Sequence, residues 1–306
     1  MTVSVDQVFV DGFRDALRHL AQQEASKLRG WTDEFSPEAE TGNWDRLASA
    51  DAALKVRRTT TPISTPIDDR VWSRRIAVAL SYNGAEMTEV EDPSMMLIDP
   101  NSNLVRSLGY AMGRQFDDII ISAALGSALN SVRAGDGSNT PTGVAVPAGQ
   151  VVGDWTTPIS FDAITEVLEV FNSNDIAMDE PKVAVVGPRQ VRELMNLTEQ
   201  TSSDYVQAQA LQQNGIVPNW MGMTWIMSNR LYFNAPVPAE TEQSCIFMTR
   251  RAMGLHIPED ITTFVDRDPS FQYAWRPYCQ FTAGAVRVED EHLVWGKFLD
   301  ATVPAP

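Results

Sequence analysis

The densest run of side chains able to hold a metal or move a proton is Glu289-Asp290-Glu291-His292. A metal needs ligands that converge on one point. Four consecutive residues at a turn between strands point in different directions, so the run reads as a solvated turn. The three histidines, His19, His256 and His292, are far apart in the chain. Each reads as a surface or core residue rather than a proton-transfer group. Cys245 and Cys279 lack the CxxC spacing of a zinc site and cannot build a disulfide framework, so two buried free thiols are expected. That fits folding in a reducing cytoplasm. The nucleophile motif GxSxG and the zinc motif HExxH do not occur. The one Gly-Lys pair is Gly296-Lys297, and a phosphate loop would need glycine where Glu291 stands. Gly135 and Gly137 do not extend to GxGxxG, because Thr140 holds the third position. Asn196-Leu197-Thr198 matches a glycosylation acceptor, which has meaning only in an exported chain. No catalytic residue, metal or cofactor is expected, and the chain reads as a non-enzyme.

The distribution of charge is more informative. The 306 residues carry 24 basic and 40 acidic side chains, a net charge of −16. Such a surface repels phosphate and anionic lipid, which argues against a nucleic-acid reader or a membrane-surface protein. Against this background Lys55, Arg57, Arg58, Arg70, Arg74 and Arg75 fall within one short segment, interrupted only by Asp68 and Asp69. Glu86, Glu89, Glu91, Asp92 and Asp99 form an acidic run without a base, and Asp33, Glu34, Glu38, Glu40 and Asp45 form a second. A basic segment on an acidic chain has an evident complement in another copy of itself. We therefore read the six basic residues as a self-association arm, with Glu86, Glu89, Glu91, Asp92, Asp33 and Glu34 as candidate acceptors.

These residues must be carried by elements that the pattern makes legible. Length and a 43% hydrophobic content allow about two domains' worth of core. There is no internal repeat, and no apolar stretch approaches the ~20 residues of a membrane span. Asp6 and Asp11 stand where a signal peptide needs apolar residues. Val5, Phe9, Phe13, Ala16, Leu17, Leu20 and Ala21 predict an amphipathic helix ending near Gly30. Residues 54–61 and 71–81 read as two strands of a projecting hairpin, turned by the proline-bearing run 59–66. Asp99 as N-cap and Pro100 at the first helical position open a long helix that Gly126 stops. Its face is marked by Leu104, Leu108, Ala111, Met112, Ile119, Ile120 and Ala123. A loop over 135–149 precedes an α/β region. It holds a helix from Phe161, a buried strand Lys182–Val186, a helix after Gly187-Pro188, a short helix from Ser202 and a strand Met223–Met227. The C-terminal part is mostly strands, at 245–248, 254–257, 273–281 and 292–298.

This order of elements, with the stretches VFVDGFRDALRHLAQQEASKLRG, TTTPISTPIDDRVWSRR, MMLIDPNSNLVRSLGYAMGRQFDDIIISAALGSA and FTAGAVRVEDEHLVWGKF, resembles the tailed-phage major capsid proteins of the Hong Kong 97-type fold. The resemblance implies an α+β fold with an N-terminal helical arm (1–35) and an extended E-loop hairpin (36–85). A peripheral domain (86–148 and 240–306) would contain the long helix as its spine, and an α/β axial domain would span 149–239. It implies a virion shell protein, assembled in the host bacterial cytoplasm into hexamers and pentamers that enclose double-stranded DNA without reading its sequence. A procapsid would expand as the genome enters. The implied partners are other copies of the chain, a separate scaffolding protein and a portal protein, with a decoration protein left open by the resemblance. Some family members join subunits by a lysine–asparagine bond; Lys55 is the only lysine in the hairpin, and no partner asparagine is identifiable. Encapsulin compartments share the fold and are the nearest alternative; a soluble α/β enzyme with an unrecognised site is the alternative from another class.

Overall fold

The computed structural model describes residues 22–48, 72–89, 100–132, 140–196, 219–231 and 242–299. In chain order the strands are β1 (Asp33–Phe35), β2 (Thr41–Leu47), β3 (Trp72–Val78), β4 (Leu80–Ala85), β5 (Ala128–Val132), β6 (Thr142–Val144), β7 (Val151–Val152), β8 (Lys182–Val186), β9 (Asn219–Trp220), β10 (Met223–Met227), β11 (Glu242–Thr249), β12 (Met253–Asp268), β13 (Ala274–Arg287) and β14 (Leu293–Leu299). The helices are α1 (Pro100–Leu125), α2 (Phe161–Ser173) and α3 (Pro188–Asn196). The chain divides into two compact units. The larger comprises Ser26–Leu80, Gln115–Glu259 and Thr282–Pro306; the smaller comprises Met1–Ala25, Ser81–Arg114 and Asp260–Phe281. The expected N-terminal helix falls outside the described residues up to residue 21; its expected last turns are corrected, since residues 22–28 are not helical and only a short 3-10 turn, Arg29–Trp31, follows. The strand at 54–61 and the short helix from Ser202 fall outside the described residues.

The main core of the larger unit lies on a six-stranded mixed sheet of order β7-β14-β11-β8-β10-β9. β8 sits centrally, antiparallel to β11 and parallel to β10, and every one of its residues is buried. A strand covered on both faces needs a continuous apolar run, which Val183-Ala184-Val185-Val186 supplies. Lys182 keeps its place in this strand by sending Nζ to the Ala177 and Glu180 carbonyls. Helix α2 covers the sheet because Ile164, Val167 and Phe171 recur at helical spacing and point inward. Its start is fixed by Ser160, whose hydroxyl accepts from the Ala163 N–H at 3.2 Å.

A second sheet of the larger unit has the order β2-β3-β5-β6, all antiparallel. Along β3 exposure alternates with the pleat. Trp72, Arg74 and Val78 face outward, while Arg75 and Ala77 are buried. Ala77 packs with Ala128, Val286, Val288 and Trp44. Gly254 admits this packing, since a Cβ there would lie 2.6 Å from the Trp44 ring. Close by, β1 pairs in parallel with Gly254–His256. The buried His256 ring holds the segment after β1, with Nδ1 3.1 Å from the Phe35 carbonyl and Nε2 2.8 Å from that of Ala39. β2 was not legible in the sequence: TGNWDRL is poor in strand-favouring residues, and its strand character comes from its seven-residue register with β3.

In the smaller unit the outer part of β12 neighbours β13, and β4 flanks β13 on its other side. Tyr82 stacks on Phe281 with centroids 5.2 Å apart. The turn between β12 and β13 places Gln272 and Tyr273 at φ 52° and 59°, so two non-glycine residues occupy left-handed conformations. The sequence marked only 254–257 of β12, whereas the strand runs for 16 residues. Its outer half is largely exposed, Ile261, Phe264 and Val265 included, so no burial pattern announces it.

The long helix spans Pro100–Leu125, 26 residues, and Gly126 donates to the Ser122 carbonyl at its end. Leu108 and Met112 are buried as expected, but so are Phe116, Ile121 and Ala124. Asp117 and Asp118 are buried as well. No described helix is long and apolar enough to cross a membrane.

Candidate assembly surface and the charge junction beneath it

The two buried aspartates of α1 have partners from distant parts of the larger unit. Asp117 accepts from Ser26 Oγ at 2.6 Å and from the Lys27 and Leu28 N–H groups at 3.1 Å. It thereby pins the incoming chain to the helix. A carboxylate that takes three N–H and O–H donors tolerates burial. Lys27 then reaches the Met227 carbonyl at 2.8 Å. Asp118 receives one edge of the Arg230 guanidinium at two points, Nε donating to Oδ1 at 2.6 Å and Nη2 to Oδ2. This two-point geometry is the strong form of the pair and holds the guanidinium charge on Arg230.

The β2–β3 ribbon carries the base of the expected basic arm. On its outward face Leu47 stands opposite Trp72, and Asp45 opposite Arg74. Trp72 is 63% exposed and Leu47 44%. Arg74 donates to both Asp45 oxygens, at 2.6 and 3.2 Å. Each group shifts the other toward its charged form, lowering the Asp45 pKa and raising that of Arg74. Because the pair is open to solvent it adds little to stability. Arg75 requires a correction. It is 2% exposed and paired within its own chain, so it cannot be part of a surface offered to a neighbour. The period of two along the strand makes Arg74 and Arg75 opposite in role, which adjacent arginines in a sequence conceal. Lys55, Arg57, Arg58 and Arg70 lie outside the described residues.

Of the candidate acidic acceptors, Asp33 is exposed and accepts from Trp44 Nε1 at 3.2 Å, and Glu34 pairs with Arg29 at 3.0 Å. Glu86 and Glu89 are exposed on the smaller unit. Glu91 and Asp92 lie outside the described residues. Asp33 also borders an open basin of about 1160 Å³ in the larger unit. Around it five carboxylates, those of Asp33, Asp45, Asp175, Glu289 and Glu291, face three guanidiniums, those of Arg46, Arg250 and Arg251. Arg46 lies 3.5 Å from Glu291, and Arg251 3.1 Å from Glu289. Leu47 and Ser73 of the ribbon close one side of the basin.

The run 289–292 lies partly on this rim and partly beneath it, so the expectation of a solvated turn is corrected. Asp290 and His292 are buried. His292 takes Thr249 Oγ1 on Nδ1 at 2.8 Å and meets Glu289 on Nε2 at 3.0 Å. Those contacts, with Arg251, hold the Glu289 pKa below its ordinary value. Asp290 turns inward and accepts from two arginines, Arg75 Nη2 at 2.5 Å and Arg287 Nε at 2.6 Å. Arg287 spends its remaining donors on the carbonyls of Ala124 (3.0 Å), Gly126 (2.8 Å) and Val144 (2.8 Å). One fully buried guanidinium thus ties the end of α1, the strand β6 and the turn after β13. Arg75 has no comparable set of partners: its Nε and Nη1 are buried without an acceptor. Burial lowers the Arg75 pKa; Asp290 opposes that shift, and Arg46 and Arg287 add to it. Sequence reasoning missed this junction because Arg75 and Asp290 are 215 residues apart. The only local signal was the i,i+3 spacing of Arg287 and Asp290.

No group of three or more His, Cys, Asp or Glu side chains able to hold a metal occurs among the described residues. Cys245 and Cys279 are free and buried. A long helix with anchored chain entry, an outward ribbon and sheet-rich units make up an α+β fold. The fold recurs in solved capsids. The capsid of cyanophage P-SCSP1u is similar with a TM-score of 0.73 at 12% identity, over 97% of this chain and 95% of that one. The mature capsid of bacteriophage PhiM1 gives 0.67 at 14%, over 97% and 92%. The capsid of an empty GTA particle gives 0.64 at 14%, over 95% and 96%. Curated protein sequences give no match. The model of the phage capsid protein family matches residues 5–300, and the chain belongs to that family. Its function is that of a phage major capsid protein, the structural subunit of the virion shell.

Proposed function

We propose that copies of this chain assemble into hexamers and pentamers of an icosahedral shell through the basic segment after β2, which docks on the acidic basin of a neighbouring copy. The observation that carries this reading is the charge of the basin. Five carboxylates line it against three guanidiniums; Arg74 meets Asp45, Arg251 meets Glu289 and Arg46 meets Glu291, which leaves Asp33 and Asp175 against Arg250, an excess of one negative charge. Lys55, Arg57, Arg58 and Arg70 supply the complementary charge from a second copy. Arg74 is held by Asp45 and Arg75 by Asp290, so neither belongs to the docking set. The exposed Trp72 and Leu47 at the root of the ribbon add an apolar anchor beside the charged contact. In this reading residues 149–239 form the axial lobe, and 86–148 with 240–306 the peripheral lobe. Assembly takes place in the host cytoplasm with a separate scaffolding protein and a portal, and the shell encloses double-stranded DNA that its acidic surface does not grip.

Electron microscopy of the purified full chain, with and without a candidate scaffolding protein, tests the reading. Wild-type chain forms shells or capsomers. The variant Arg57→Glu/Arg58→Glu/Arg70→Glu remains a folded subunit and forms none. Normal shells from that variant refute the docking role of the segment.

A further inference from the structure

We propose that Arg75, inside the larger unit, binds a small monovalent anion, for which chloride is the probe. The inference is independent of how the shell assembles. It starts from a mismatch of charge at the junction. Two guanidiniums, of Arg75 and Arg287, share the single carboxylate of Asp290. Arg287 has three backbone carbonyls in addition, whereas Asp290 is the ionic partner of Arg75 and engages only its Nη2. The Nε and Nη1 groups of Arg75 remain buried without an acceptor. Buried charge and buried N–H donors are both costly unless met by an opposite charge or a lone pair.

Among the described residues the charged groups that act on Arg75 are Asp290, Arg46 and Arg287, and none of them offers that lone pair to Nε or Nη1. Arg46 lies close enough to act on Arg75 as a like charge, as Arg287 does. On the paired strand, Asn130 stands directly opposite Arg75, and its Oδ1 is also buried without a donor. Nε–H and Nη1–H lie on different edges of the guanidinium plane, so the anion occupies one of them. A water molecule would satisfy hydrogen bonds but would leave the net positive charge in place. An anion meets the charge and one of the two open donors, leaving the other donor to water, and the charge is what selects it. A halide is the class that fits, being small, monovalent and able to accept from N–H donors on any side. A divalent oxyanion would overcompensate the single excess charge and needs more donors than this site offers.

The test is the thermal unfolding midpoint of the purified full chain as chloride replaces gluconate at fixed ionic strength. Above saturation the wild type gains roughly 2–4 °C for each tenfold rise in chloride. Arg75→Met removes the excess charge and abolishes the dependence. Asn130→Asp places a carboxylate opposite Arg75 and does the anion's work from within the chain. It raises the midpoint in gluconate and makes it independent of chloride. Arg74→Met, on the outward face, keeps the wild-type dependence and controls for general ionic effects. A wild-type midpoint that ignores chloride means that water alone meets Arg75, and overturns the proposal. So does a chloride dependence that survives in Arg75→Met. Should that variant fail to fold, a full chloride dependence in Asn130→Asp overturns it equally.

Discussion

Removing the charge of Asp290 by Asp290→Asn tests the junction most directly. The substitution preserves shape and one carbonyl oxygen but leaves two buried guanidiniums without a counter-charge. For Arg75 the carboxylate is the ionic partner, with side chains 2% and 11% exposed across the pair. Breaking a buried pair from one side costs about 3–5 kcal/mol. Arg287 retains the Ala124, Gly126 and Val144 carbonyls and loses one charge-assisted hydrogen bond, worth roughly 1.5–3 kcal/mol. The two losses share one carboxylate and do not fully add. The expected destabilisation is therefore about 4–6 kcal/mol, a large share of the ~5–15 kcal/mol of a folded domain. Arg75→Met makes the opposite change: it leaves Arg287 and Asp290 as a one-to-one pair and fills similar volume with apolar atoms. That variant should lie within about 1 kcal/mol of wild type in chloride-free buffer. Urea unfolding followed by tryptophan fluorescence measures both, and amide exchange at β3 and β6 localises the loss. A cost under ~1 kcal/mol for Asp290→Asn, or an Arg75→Met variant as unstable as Asp290→Asn, refutes the argument that an excess of buried positive charge governs this junction.

Two further outcomes follow from single groups. Glu289 is held below its ordinary pKa of 4.5 by His292 first and Arg251 second. A depressed carboxylate stabilises the fold above its unfolded value, and that contribution fades as pH falls through the lower folded value. Thermal midpoints of wild type and Glu289→Gln should therefore differ above about pH 5 and converge as the pH falls through the lowered folded value; parallel curves throughout would show that the contacts do not favour the carboxylate. Burial raises the Cys245 thiol well above its usual range. A maleimide at pH 8 should modify it only at the rate at which the larger unit opens, and rapid stoichiometric labelling in native buffer would contradict its burial.

Some of this structure could be read without coordinates. Helix α1 was legible to its end residues, because Asp99-Pro100 and Gly126 are local signals and the apolar spacing lies within one element. β8 and β10 were legible as apolar runs bounded by turn residues. β2 was not, because Gly42, Asn43 and Asp45 disfavour a strand and only the partner β3 makes it one. The site was less legible than the fold. The basic cluster between Lys55 and Arg75 was visible as composition, but the separate fates of Arg74 and Arg75 were not.

By itself the sequence determined those properties that depend on neighbours along the chain: the helix caps, the buried strands, the acidic total with one basic segment, and the pattern that places the chain among phage capsid proteins. Tertiary structure alone decided which charges face solvent and which are buried. Asp290 in a run of acids reads as hydrated, yet it meets Arg75 from 215 residues away. Asp117 on a helix reads as exposed, yet it receives the Ser26 hydroxyl and two backbone N–H groups. The physical reason is that burying a charge is governed by the partner that meets it, and a partner brought in by folding leaves no trace in local spacing.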